Sequence, residues 1–135
     1  MREVMLVAVG GSLGALARYA IGLAGAQLLG RGFPWGTLAV NVAGCFLMGL
    51  VMEWILDLES HEVLTAAMGS RLAFWRQGVA IGFLGGLTTF SSFGADTLRE
   101  LQCGHTGLGL ANIAANVLLS LAAVWAGMSL MQALD

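Results

Sequence analysis

The chain has 135 residues, of which 58% are hydrophobic and only 10% charged, with a net charge of −2 and a mean hydropathy of +0.83. A soluble domain carries about 25% charged residues, so this composition excludes a soluble fold and predicts an integral membrane protein. The sequence contains no lysine, which excludes a Walker-type phosphate loop and a Schiff-base lysine.

Four segments are long and apolar enough to cross a bilayer, which takes about 20 residues of helix. They run from Val4 to Leu29, from Gly36 to Leu56, from Leu72 to about Leu98, and from Gly107 to about Leu134. The chain shows no linker, repeat or low-complexity tract. We therefore predict an all-α membrane protein with four transmembrane helices, forming a single domain over residues 1–135.

The predicted connection from Asp57 to Arg71 holds most of the loop charge. Within it Leu64, Ala67 and Met68 follow helical spacing, which indicates a segment lying partly on the membrane surface.

The arginines are almost evenly divided between the two sides of a four-span topology. Arg2, Arg71 and Arg76 fall on one side and Arg31 and Arg99 on the other, so the positive-inside bias is close to zero. Two readings stay open. Either the chain inserts in both orientations and forms an antiparallel homodimer, or another feature sets a single orientation.

The third segment contains an unusual stretch from Gly82 to Phe93, with three glycines, two threonines, two serines and three phenylalanines. Glycine is a poor helix former, and Thr and Ser offer the backbone other hydrogen-bond partners. We therefore predict that the third helix is broken at mid-membrane. Broken backbone at that depth is tolerated where protein buries it or where it lines an aqueous path, which indicates an ion or solute pathway.

Two polar stripes recur at four-residue spacing, each on one face of a predicted helix. They are Thr37, Asn41 and Cys45 in the second segment, and Asn112, Asn116 and Ser120 in the fourth. Interhelical hydrogen bonding explains a single residue of this kind. Two matching stripes beside a broken helix favour a hydrophilic track. Arg18, the only basic residue deep in a span, either snorkels to the headgroups or satisfies carbonyls freed by the break.

The residue types along the candidate track suit a small anion. Asn amides and Ser or Thr hydroxyls donate hydrogen bonds, and phenyl rings such as Phe90 and Phe93 are positive at their edges. Conduction requires that an ion be held without being bound too tightly. Carbonyls released at the break offer a second site, where two copies of the chain meeting on a twofold axis would hold a small cation such as Na⁺.

Three motifs in these segments resemble those of the Fluc (CrcB) fluoride channels. They are Gly10 to Tyr19 in the first segment, Gly36 to Gly44 in the second, and the run from Gly82 to Phe93 in the third. They occur in order at fitting spacing, and the resemblance covers essentially the whole chain. The Gly-Gly-x-Thr-Thr-Phe-Ser-x-Phe run is the most specific of the three.

The resemblance implies an antiparallel, dual-topology homodimer with two pores in the cell (inner) membrane. It implies passive, selective efflux of fluoride from the cytoplasm, which lowers fluoride toxicity, and no enzymatic activity. Phe90, Phe93 and Asn41 would line the fluoride path, with Asn112, Asn116 and Ser120 in its polar track. The polar stripe of the second segment adds Thr37 to the predicted path. Backbone carbonyls of Gly85 and Thr88 would bind a structural Na⁺ on the dimer axis, and Arg18 matches the first-helix arginine of the family.

The sequence departs from the family pattern at several positions. Ser92 stands where threonine is usual, Gly94 where many members have serine, Asp96 where many have glutamate, and Asn116 where serine or histidine appears. The alternative function is a small dual-topology, proton-coupled multidrug exporter. That chemistry needs an acid within the membrane, whereas the first segment has Glu3 at its edge and Arg18 inside.

Overall fold

The computed structural model describes residues 1–61 and 66–134, and every regular element within them is helical. In chain order these are α1 (Arg2–Leu28), α2 (Trp35–His61), α3 (Ala66–Ala73), the π-helix π1 (Phe74–Leu84), α4 (Gly85–Leu87), α5 (Phe90–Gln102), α6 (Thr106–Ala114), the π-helix π2 (Ala115–Leu119) and α7 (Ser120–Gln132).

Four stretches of helix in the described residues are long and apolar enough to span a membrane. They correspond to α1, to α2, to the run from Gly69 to Gln102, and to the run from Thr106 to Gln132. The prediction of an all-helical membrane protein with four spans is therefore confirmed. The antiparallel homodimer and the depth of the helix break stay predictions.

Helix bounds differ from the sequence-based ones mainly around the second connection. The residues from Asp57 to His61 continue α2, and α3 already begins at Ala66, so the prediction of one long connection to Arg71 was wrong. Hydropathy marks where the apolar part of a helix stops, whereas charged turns of the same helix continue beyond it. An ion pair between Arg76 Nη1 and Glu59 Oε1, 3.1 Å apart, joins π1 to this extension.

The surface segment predicted from Leu64, Ala67 and Met68 is only partly within the described residues. Leu64 lies outside them, whereas Ala67 and Met68 belong to α3.

Two pairs of helices pack closely along their length, α1 against π1 and α2 against α7. Glycines allow the backbones in each pair to touch. A Cβ on Gly14 would overlap the carbonyl oxygen of Phe83, and one on Gly49 would overlap that of Val124. Small residues of this kind allow helix backbones to approach closely within a membrane. Val40 of α2 forms a buried apolar cluster with Leu84 and Leu87 of the third span.

Candidate functional site

The third span leaves helical geometry at two threonines. Thr88 has φ −77° and ψ 155°, and Thr89 has φ −153° and ψ 117°, both extended, before α5 begins at Phe90. Both side chains supply local hydrogen bonds. Thr88 Oγ1 donates to the Leu84 carbonyl at 3.0 Å, and Thr89 Oγ1 accepts from the Ser92 N–H at 3.1 Å. Thr89 is thus the N-cap of α5.

The side-chain amide of Asn41 holds Thr89 from the neighbouring helix α2. Its Oδ1 accepts from the Thr89 N–H at 2.8 Å, and its Nδ2 donates to the Thr89 carbonyl at 3.1 Å. In an uninterrupted helix the Thr89 N–H would donate to the carbonyl of Gly85. Because Asn41 takes that N–H instead, the break frees the Gly85 carbonyl from its usual donor.

Arg18 lies at the second carbonyl of the break. Its Nη1 donates to the Thr88 oxygen at 3.5 Å, the long end of the range for a hydrogen bond, and the contact is partly buried. Of the two sequence-based readings of this arginine, its position matches the one that satisfies freed carbonyls. Helices α1 and α2 thus both contact the two-residue interruption.

A chain of three asparagines runs from the interruption into the fourth span. Asn41 Nδ2 donates to Asn116 Oδ1 at 2.9 Å, and Asn116 Nδ2 donates to Asn112 Oδ1 at 2.8 Å and to the Asn112 carbonyl at 3.1 Å. Asn112 Nδ2 then donates to Thr97 Oγ1 at 2.8 Å. A side-chain amide has two N–H donors, so protein acceptors engage both donors of Asn41 and both of Asn116.

A cavity of about 340 Å³ opens beside this chain. Its lining residues are Asn41, Cys45, Thr88, Thr89, Phe90, Phe93, Asn116, Val117, Ser120 and Leu121.

The two phenyl rings of the cavity are 5.3 Å apart between centroids and inclined at 64°, an edge-to-face arrangement. Phe90 is 82% exposed, whereas Phe93 is 8% exposed. The Phe93 ring is therefore fixed by packing, and the Phe90 ring forms an open wall of the cavity.

Ser120 lines this cavity and contributes a hydroxyl to it. Its Oγ is buried and has no hydrogen-bond partner among the described residues. A hydroxyl carries one donor hydrogen, and leaving it unpaired inside a protein is costly. The cavity therefore combines an unengaged hydroxyl donor with two aromatic rings, while its amide N–H groups are already engaged.

Of the seven residues predicted to line a pathway, five line this cavity and two do not. Asn41, Phe90, Phe93, Asn116 and Ser120 share the cavity. Thr37 instead lines two other cavities, and its Oγ1 donates to Asp96 Oδ2 at 2.9 Å. Asn112 is completely buried and is not among the lining residues.

Sequence reasoning missed the parts played by Thr89, Thr97 and Asp96. For Thr89 a signal existed, since threonine is a favoured N-cap residue at a helix start. For Thr97 and Asp96 no local signal was present, because their partners Asn112 and Thr37 come from other spans.

The donors available for a cation at the break are backbone oxygens. Within the described part of the chain, His, Cys, Asp and Glu side chains form no group of three that would hold a metal ion. The freed carbonyl of Gly85 and the extended backbone at Thr88 fit the use of unwound helices as Na⁺ ligands. The Arg18 guanidinium competes for the Thr88 oxygen, so a Na⁺ there would share that ligand with a fixed positive charge.

Comparison with known proteins decides the family. Residues 5–128 match the model of the family described as "CrcB-like protein, Camphor Resistance (CrcB)". The chain belongs to the CrcB family. The resemblance drawn from the three glycine-rich motifs is thus confirmed, and with it the assignment of the chain as a multi-pass membrane protein.

Curated CrcB relatives match the chain over nearly its full length. Proteins named "Fluoride-specific ion channel FluC" from Rhizobium etli and Rhizobium meliloti are 43% and 45% identical over 134 residues, which is 99% of each chain. The protein of that name from Geobacter sulfurreducens is 44% identical over 127 residues, which is 94% of each chain. These relatives are named as channels, in agreement with the prediction that this CrcB chain is not an enzyme.

Proposed function

We propose that this CrcB protein is a fluoride-selective channel that lets fluoride leave the cytoplasm passively across the cell (inner) membrane. The observation that carries the proposal is the near-complete match to relatives named as fluoride-specific ion channels. Fluoride that enters a cell as neutral HF ionises there, and a passive path for the anion lowers its cytoplasmic concentration and so its toxicity.

The cavity beside the interruption supports an anion path of low affinity. The Ser120 hydroxyl has a donor hydrogen to offer, and the rings of Phe90 and Phe93 are positive at their edges. The amide N–H groups of Asn41 and Asn116 are engaged by protein acceptors. An ion held by one hydroxyl and by ring edges sheds water without being trapped, as conduction requires.

A second, antiparallel copy of the chain completes the channel in this proposal. The even distribution of arginines supports insertion in both orientations. The exposed Phe90 ring supports a partner as well, because it leaves one wall of the cavity uncovered. An anion path in hydrocarbon needs polar or aromatic walls on every side, and a second chain related by a twofold axis in the membrane plane supplies the missing wall of each of two pores.

A Na⁺ ion on the dimer axis, bound by the carbonyls of Gly85 and Thr88 from each chain, is the expected structural cofactor. When bound, the ion supplies positive charge that holds the carbonyl dipoles of two broken helices together. We expect replacement of Na⁺ by the larger N-methyl-D-glucamine to weaken the dimer and to reduce fluoride flux. Equal elution volume and equal flux in the two media would contradict a Na⁺ site.

Fluoride efflux from liposomes containing the purified protein tests the function, with a fluoride electrode as readout and protein-free liposomes as control. We expect fast fluoride efflux and much slower chloride efflux. No fluoride efflux, or equal rates for both anions, would refute the proposal. A quaternary ammonium gradient tests the multidrug-exporter alternative, and proton movement driven by that gradient would favour it.

A further inference from the structure

The buried end of the asparagine chain is outside the cavity, yet it determines how the amides inside the cavity are oriented. Asn112 is 0% exposed and Thr97 is 7% exposed, and neither lines the cavity. Asn112 accepts from Asn116 with both its side-chain and backbone oxygens and donates to Thr97. It therefore contacts α5 through Thr97 and a cavity-lining residue through Asn116.

Asn116 has only one satisfactory orientation in these surroundings. With its amide reversed, its nitrogen would face the Nδ2 of Asn41 and its oxygen would face two oxygens of Asn112. Donors would then meet donors and acceptors would meet acceptors. Thr89 fixes Asn41 in the same way at the other end, through its N–H and its carbonyl. The direction of the chain is thus fixed at both ends.

We infer that Asn112 and Thr97 are positioning residues of the anion path, which act through the side-chain amide of Asn116. They keep both N–H groups of Asn116 engaged with protein oxygens, so that the Ser120 hydroxyl remains the free polar donor in the cavity. This inference rests on the proposed function. Its physical basis is that a freed amide N–H would bind a small anion more strongly, and a more tightly bound ion passes more slowly.

The test is Asn112→Leu, which keeps the branched shape and the number of side-chain heavy atoms and removes the amide. One of the two acceptors of the Asn116 nitrogen is lost, and the N–H that it engaged becomes available to an anion. We expect the maximum fluoride flux to fall by about tenfold, the effect of one hydrogen bond to a charged group, while the fluoride concentration giving half-maximal flux falls as well. A purely structural defect would lower the flux without a tighter half-saturation.

The matched variant is Asn112→Asp, measured at acidic pH. In its protonated form the carboxyl donates to Thr97 and accepts from Asn116, as the amide does. We expect flux and half-saturation close to those of the unaltered chain. Ser12→Ala serves as the control for removing a polar side chain from a span, because Ser12 donates only to the Ala8 carbonyl of its own helix.

Two results would overturn the inference: unaltered half-saturation in Asn112→Leu, or equal impairment of Asn112→Asp and Asn112→Leu at acidic pH. If Asn112→Leu does not assemble, the isosteric change Thr97→Val is measured instead. It removes the hydrogen bond that holds the Asn112 amide with its oxygen toward Asn116, so we expect both changes in the same direction and of smaller size. The unaltered chain is measured in parallel. Fluoride flux in that chain upholds the proposed function whichever way the variants behave, so the two proposals fail separately.

Discussion

Replacing Phe90 by isoleucine is expected to lower fluoride flux by about 100-fold, which corresponds to a barrier increase of ~2.7 kcal/mol. Isoleucine fills similar space but has no positive ring edge to face an anion. Because Phe90 is 82% exposed within one chain, the change removes little internal packing. Flux is measured with a fluoride electrode, and elution volume in detergent reports assembly.

Phe74→Ile provides the control for Phe90→Ile. Phe74 is also exposed, its ring lies edge-on to Trp75 rather than in the cavity, and the substitution is the same. Its flux should match that of the unaltered chain. Normal flux in Phe90→Ile, or equal losses in both variants, would show that the Phe90 ring does not contribute to the path. Phe93→Ile should also lose flux, but Phe93 is buried, so that variant combines packing with path chemistry.

Replacing Gly14 by alanine is expected to destabilise the fold by about 3 kcal/mol, at the upper end of the cost of overpacking. The added Cβ would overlap the Phe83 carbonyl oxygen and crowd the N–H of Leu87. Backbone atoms cannot move aside as a flexible side chain can, so α1 must separate from π1 and α4. The measurement is unfolding in mixed micelles, followed by circular dichroism.

Gly22→Ala is the control in the same helix α1. No atom lies within 4 Å of a Cβ built there, and alanine has the better helix propensity by about 1 kcal/mol. The Gly22 variant should therefore be as stable as the unaltered chain or slightly more so. If Gly14→Ala unfolded like the unaltered chain, the close approach of α1 to the third span would not be a source of stability.

How much was predictable from sequence depended on whether a feature was local. The number of spans follows from the apolar length of each segment, since the cost of exposing charge to hydrocarbon acts on each segment separately. The ends of α2 and α3 were not predicted, because Asp57, Glu59 and Arg71 lie in helical turns that continue beyond the apolar part.

The fourth span shows why four-residue spacing identified two of three lining residues, Asn116 and Ser120, and was wrong for Asn112. Asn112, Asn116 and Ser120 would share one face of an α-helix. The π-helix π2, from Ala115 to Leu119, takes one more residue per hydrogen-bonded turn and so keeps Asn112 and Ser120 on nearly the same side of the span. Ser120 nevertheless lines the cavity, whereas Asn112 is buried against Thr97 of α5. What packs against each level of the span decides this difference, and spacing along one helix does not specify it.

The sequence by itself determined the membrane class and the four spans, and it indicated the stretch from Gly82 to Phe93 as the candidate site. These features depend on composition and backbone propensity, which act locally. Only the tertiary structure decided which polar groups are engaged and which are free. The side-chain amides of Asn41 and Asn116 donate to protein oxygens. The Thr37 hydroxyl donates to Asp96, and the Ser120 hydroxyl has no partner among the described residues. The physical reason is that a hydrogen bond between helices depends on how they pack and rotate against each other, which spacing along one helix does not specify.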